Sequence, residues 1–157
     1  MLNIRKANIE DVELVLQFIK ELADFEKLLH TVTATTELLK ETIFGKDSNV
    51  EVAIAELDNQ AVGFVLYFFN FSTFVGKKGL YIEDLYVKPE FRGKGIGKSL
   101  LKYTAEIAIQ RNCGRMEWSV LTWNPAVDFY KSIGAEIMDE WRICRLDENK
   151  IEILSKM

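Results

Sequence analysis

Gly93, Gly95 and Gly97 alternate with Lys94 and Ile96, and Arg92 and Lys98 flank the run. Glycine leaves its backbone N–H bare and adopts the left-handed conformation without a steric cost. Residues 80–87, Leu-Tyr-Ile-Glu-Asp-Leu-Tyr-Val, precede the run and have the aromatic and aliphatic composition of a buried strand. Pro89 stops that strand, because proline has no donor for a sheet ladder. From Ile96 the apolar spacing becomes helical, with Ile96, Leu100, Tyr103, Thr104, Ile107 and Ala108 on one face. A strand, a glycine loop and a helix in this order point unpaired amides at an anion. The helix N-terminus adds roughly half a positive charge, and Arg92, Lys94 and Lys98 add full ones. The chemistry these residues suit is phosphate binding; a glycine-rich turn without a ligand is the plainer reading.

Two familiar phosphate motifs fail here by one residue. The P-loop requires glycine five positions before Gly97, where Arg92 stands. The dinucleotide fingerprint begun at Gly93 requires glycine where Lys98 stands. Arg-x-x-Gly-x-Gly after a strand ending in Val87-Lys88-Pro89 fits without adjustment. It resembles the pyrophosphate loop of the GNAT superfamily of acyl-CoA-dependent N-acetyltransferases.

The elements that would position this loop are legible along the chain. Leu2-Asn3-Ile4-Arg5 alternates as a first strand, and Asn8 sits where an N-cap belongs, with Glu10 and Asp11 complementing the helix dipole. The first helix is expected to run to about Leu29, burying Val12, Val15, Leu16, Ile19, Leu22 and Ala23. Glu26 breaks that stripe, either because the helix emerges into solvent or because a carboxylate faces an interior polar pocket. A shorter helix over residues 37–44 stops at Gly45. Residues 49–57 and 61–71 read as a hairpin turning at Asp58-Asn59, and residues 72–79 loop back to the strand at 80–87. Beyond the phosphate helix come a strand at 115–121, a short helix opened by Asn124-Pro125 and stopped by Gly134, and two strands near 141–146 and 150–154. The order predicts an α+β fold, a single domain over residues 1–157, with a mixed, mostly antiparallel central sheet flanked by helices on both faces.

That is also the GNAT order, and within the superfamily the chain is most similar to the spermidine/spermine and thialysine N-acetyltransferase group. The resemblance rests on residues 22–26, Ser72 to Gly76, residues 80–84, Arg92 to Gly97, Trp123-Asn124, Phe129-Tyr130-Lys131 and Trp141. It implies acetyl-CoA as co-substrate, held by Leu85, Tyr86 and Val87 on the strand, by Arg92, Gly93, Lys94, Gly95, Ile96, Gly97 and Lys98 in the loop, and by Asn124 and Tyr130. It implies Glu83 as the base, Tyr130 as the acid, and Phe25, Glu26, Glu83 and Trp141 lining the amine site. Asn124 is also a strong N-cap on local grounds, with Pro125 at the first helical position. It stands six residues before Tyr130, where the family often has seven. Phe25 replaces a tyrosine of the polyamine enzymes, and Ser72-Thr73-Phe74 replaces their Asp-Pro-Trp, the Ser-Thr pair resembling the thialysine branch.

The chemistry follows from the amine. An alkylamine of pKa near 10.4 is only about one part in a thousand neutral at pH 7, and only the neutral form attacks a thioester. A carboxylate working through water removes the proton, and a phenol supplies one to the departing thiolate. Alternation along a strand would place Glu83 with Tyr81, Leu85 and Val87, and Asp84 with Ile82 and Tyr86 on the opposite face. Glu83 and Asp84 are the candidate bases, but on opposite faces they are no shared-proton pair, and Asp84 is expected to be structural, hydrogen-bonded beneath the sheet.

Composition bounds the partners. A chain of 157 residues buries a sizeable core without disulfides, and Cys113 and Cys144 lack metal spacing. His30 is the only histidine, so no zinc site or charge-relay pair is expected. The net charge of −4 argues against nucleic acid and suits a cationic small molecule. With no run of about 18 apolar residues and no signal-peptide pattern, a soluble cytoplasmic protein is expected. The resemblance adds a homodimer. The function expected is acetyl transfer to the primary amine of a small cationic substrate, a diamine, polyamine or thialysine-like amino acid, by direct attack in a ternary complex. A protein N-terminal or lysine acetyltransferase and a non-catalytic acyl-CoA module are the alternatives.

Overall fold

Five strands lie side by side in chain order in the computed structural model, which describes residues Met1–Met157. They are β1 Leu2–Lys6, β2 Val50–Leu57, β3 Gln60–Ser72, β4 Lys77–Val87 and β5 Arg115–Trp118. The first four pair antiparallel, and β5 runs parallel to β4. Three helices share this unit: α1 Val12–Phe25, α2 Thr36–Phe44 and α3 Ile96–Gln110. The chain divides at Ser119, and a second unit, Val120–Met157, holds α4 Ala126–Ser132 and α5 Glu148–Ser155.

Alternation along β2 and β3 divides the core of the first unit into two layers. Val52, Ile54, Phe64, Leu66 and Tyr86 pack with Val12, Val15 and Phe18 of α1 and Leu39 and Ile43 of α2. The Phe18 ring stacks on Phe64 at 5.4 Å; burying such a ring contributes about 1.5–3 kcal/mol. The intervening residues face α3, where Arg111 reaches Glu51 at 3.3 Å and lies over the Phe69 ring. The α3 side buries Ile96, Leu100, Leu101, Thr104 and Ala108.

The β2–β3 turn falls at Asp58 and Asn59, both left-handed at φ 51° and 67°. That geometry matches the twist of the strands it joins. Asn8 caps a 3-10 turn, Ile9–Asp11, in a capping box. Asp11 also accepts two hydrogen bonds from Arg5, which donates a third to Glu56. Those bonds hold the Asp11 carboxyl below its ordinary value and fasten the start of α1 to β1 and β2.

Several expected boundaries move. The first helix ends at Phe25, since Lys27 at φ 61° turns the chain out of it, and Leu29–Thr31 forms a separate 3-10 turn. Strand β4 begins at Lys77, because Ser72 to Gly76 makes a tight turn rather than a long loop. Strand β5 stops at Trp118. The largest correction is C-terminal. The two expected strands are absent: residues 141–147 carry no regular structure, and residues 148–155 form α5. Asp147 caps that helix by accepting from the Lys150 N–H at 3.0 Å, and Lys156 pairs with Glu152 one turn back. Ile151 and Leu154 satisfy helical spacing, and the cap decides for the helix.

Candidate active site

The glycine loop takes the conformation its composition requires. Gly93 and Gly95 have φ of 75° and 78°, and Gly95 is the N-cap of α3. An L side chain in that region costs about 1–2 kcal/mol. A Cβ built on either glycine meets no atom within 4 Å, so conformation, not crowding within the chain, demands glycine there. The backbone N–H groups from Gly93 through Lys98 find no acceptor in the protein. They lie at the positive end of α3, with Lys94 and Lys98 exposed beside them.

Arg92 is placed differently from its lysine neighbours. Its Nε donates to the Val87 carbonyl at 2.9 Å, and its guanidinium lies 4.6 Å over the Phe25 ring and 5.7 Å from that of Tyr86.

The sheet opens beside this loop. The parallel ladder between β4 and β5 starts at Gly79–Arg115 and stops at Ile82–Trp118. From Glu83 to Val87 the β4 backbone has a strand partner on its β3 side only, so Leu85 presents both its amide groups along that edge and Val87 its N–H, its carbonyl being taken by Arg92. The free edge suits the amides of a pantetheine arm, and the free N–H groups of the loop suit a pyrophosphate. At the fork, the Tyr81 and Ser119 hydroxyls are 2.7 Å apart.

A bulge decides how the acids point. Leu66 pairs with Asp84 and Tyr67 with Ile82, which leaves Glu83 as the extra residue of β4. The expected alternation therefore fails. Asp84 shares the α1 face with Tyr86, whereas Ile82 lies on the α3 face. The two acids are not independent either. Burial, then the charges of Glu83 and Glu26, push the Asp84 carboxyl up to about 6, and no hydrogen bond contributes. Asp84 is thus not the hydrogen-bonded structural acid expected. Glu26, next after Phe25 at the end of α1, is half-buried, and burial raises its carboxyl too. Glu83 is exposed. The charges of Glu26 and Glu83 thus both act on Asp84 beside the open edge, a closeness that its expected structural role did not include. The adjacent acid pair in an otherwise apolar strand was its only signal.

Asp84 is expected to weaken the fold as pH rises. Its native carboxyl keeps a proton between about pH 4 and 6, where the unfolded chain has released it. The native state binds more protons in that window, so stability falls with rising pH. Two units correspond to about 3 kcal/mol, less whatever residual solvent contact screens. Urea midpoints of Asp84→Asn and the parent should coincide near pH 4 and separate by pH 7, the variant being the more stable. Parallel curves would refute this placement.

The remaining predicted residues belong to the second unit. Asn124 accepts from the N–H of Ala126, the first residue of α4, at 2.9 Å, and Pro125 rather than Asn124 takes the N-cap position. Tyr130 is the buried residue of α4, its ring 5.6 Å from that of Phe129. Gly134, at φ 91°, ends the helix as expected. Trp141 is exposed in the irregular segment. No group of His, Cys, Asp or Glu is spaced to hold a metal ion, and no helix is long and apolar enough to cross a membrane.

A glycine loop opening a helix beside a forked mixed sheet defines a class. The chain belongs to the Acetyltransferase (GNAT) family, whose model matches residues 16–135, and is an acetyl-CoA-dependent N-acetyltransferase. It is 37% identical to a thialysine N-epsilon-acetyltransferase of Bos taurus over 92% of this chain and 91% of that one. It is 30% identical to the L-ornithine N5-acetyltransferase NATA1 of Arabidopsis thaliana over 98% of this chain and 88% of that one. Among solved structures, the integron cassette protein VCH_CASS6 of V. cholerae superposes with a TM-score of 0.81 at 33% identity, covering 99% and 98% of the two chains.

Proposed function

We propose that the enzyme acetylates the primary amine of a small dication or zwitterion, a diamine or a thialysine-like amino acid, by direct attack in a ternary complex. The observation that carries this reading is the convergence of Glu26 and Glu83 on Asp84, whose carboxyl both their charges raise, beside the free edge of β4. Acetyl-CoA supplies the thioester. Glu83, exposed at the bulge, takes the amine's proton through water, and Tyr130 returns one to the departing sulfur. Glu26 holds the distal cation, with Phe25 and Trp141 lining the same site. Residues 93–98 hold the pyrophosphate, and the β4 edge with Asn124 holds the pantetheine arm. The names of two relatives, thialysine N-epsilon- and L-ornithine N5-acetyltransferase, denote side-chain amines of amino acids and support this substrate class. A cytoplasmic homodimer acting as one domain remains part of the reading.

Glu26→Gln tests it. Breaking a buried ion pair costs about 3–5 kcal/mol, and an exposed one under about 1. Half-buried Glu26 falls between, so KM for a diamine or ornithine should rise at least about tenfold, which is ~1.4 kcal/mol. A monoamine should respond less, because the carboxylate holds the distal charge. Spermine should be poorer than a short amine, since no acid stands in the turn where Ser72 is buried and Phe74 is exposed. Equal effects on mono- and diamines, or spermine as the best substrate by kcat/KM, would overturn the assignment.

A further inference from the structure

We propose, resting on the function just given, that Phe25 and Arg92 couple the two substrate subsites, so that the CoA pyrophosphate and the amine favour each other's binding. Arg92 is the first residue of the phosphate loop, and Phe25 is the last residue of α1, directly before Glu26. The guanidinium spans them: 4.6 Å over the Phe25 ring, 5.7 Å from Tyr86, with Nε on the Val87 carbonyl. The same end of α1 meets the end of β4 again through Glu21. Its carboxylate lies 3.9 Å from the Lys88 ammonium, and, after burial, it is what pushes the Tyr86 phenol up to about 12. The last turn of α1 is therefore held by the segment that leads into the loop.

The glycines give that loop little of its own to fix it. Gly93 and Gly95 carry no side chains, and the space above both is open. An anion on the loop amides draws Arg92 into one position, and the cation–π contact passes that position to Phe25. Glu26 follows, because Lys27 turns the chain away immediately after it. Whichever substrate binds first orders the shared contact, and the second binds to a segment already ordered. Phe25 is a positioning residue in this scheme. Lysine could not replace Arg92, because an ammonium keeps the charge and loses the planar face.

The test measures coupling, which must be reciprocal between the two ligands. Calorimetry with CoA and ornithine, which cannot react together, gives each dissociation constant with and without the other. In the parent, each should tighten the other about fivefold or more, by the same factor. Phe25→Leu and Arg92→Lys should bring that factor to about one, and Phe25→Tyr, which keeps a ring under the guanidinium, should retain it. Each variant is first checked for native circular dichroism and for acetyl transfer from acetyl-CoA. No coupling in the parent, or the parent's coupling in Phe25→Leu and Arg92→Lys, overturns this inference while transfer leaves the proposed function standing. Absence of transfer to any amine by the parent overturns both.

Discussion

Gly95→Asp should lower the affinity for acetyl-CoA by about a hundredfold or more while leaving the fold intact. At φ 78° the position is strained for most side chains, but aspartate tolerates the left-handed region better than most. It also stands at the N-cap of α3, where a carboxylate is among the preferred residues. The new side chain thus satisfies the helix with amides that otherwise await a pyrophosphate. It brings a negative charge to the same place. A hundredfold loss is ~2.7 kcal/mol, within reach of one lost set of charge-assisted bonds plus repulsion. Thermal melting reads both halves of this. The parent's Tm should rise with acetyl-CoA by mass action, and much less with NAD or ATP. The variant should melt near the parent alone and gain nothing from acetyl-CoA. A folded variant that binds CoA as the parent does would remove the loop from the cofactor site.

Glu83→Gln should lower kcat by about 10²-fold near neutral pH, and Tyr130→Phe by a similar factor, each with CoA binding nearly unchanged. Glutamine keeps the shape of the extra residue at the bulge and cannot accept the amine's proton. The loss should shrink as pH rises, since the free amine fraction grows about tenfold per unit below a pKa near 10.4. Parent and Glu83→Gln rates should therefore converge at high pH, whereas a variant damaged only in packing would stay slow throughout. Glu83 is also one of the two charges that raise Asp84. Its removal should let Asp84 ionise at lower pH, visible in carboxyl resonances. If both variants turn over like the parent while chemistry limits the rate, the assigned roles fall.

What the sequence made legible was local. The loop from Arg92 to Lys98 and helix α3 follow from glycine spacing and apolar period, and α2 and the Asp58-Asn59 turn from neighbouring residues. The bulge at Glu83 was not legible, because it is a register step between β4 and β3, and alternation along β4 alone puts Ile82 on the face of Asp84 and Tyr86. The stack of Arg92 on Phe25 was hidden for the same reason: the fold joins residues far apart in sequence. In the C-terminal unit, Ile151, Ile153 and Leu154 serve a strand or a helix, and the Asp147 cap was overlooked. Phe25 and Trp141 stand out only by resemblance to a family, whereas Glu26 also breaks the apolar stripe of the first helix and Glu83 and Asp84 are the two acids of an apolar strand.

The fork in the sheet has a consequence for solubility. Past Ile82 a central strand becomes an edge on its β5 side, and an unpaired edge invites a strand from another molecule. Proteins discourage such pairing with inward-facing charge and with bulges, and both occur where this edge begins: Glu83 in the bulge and Asp84 beside it. The acids that suit a cationic amine therefore also keep the slot from being filled by foreign backbone. A chain stripped of both charges would be open to self-association through β4 at concentrations where the parent stays dispersed.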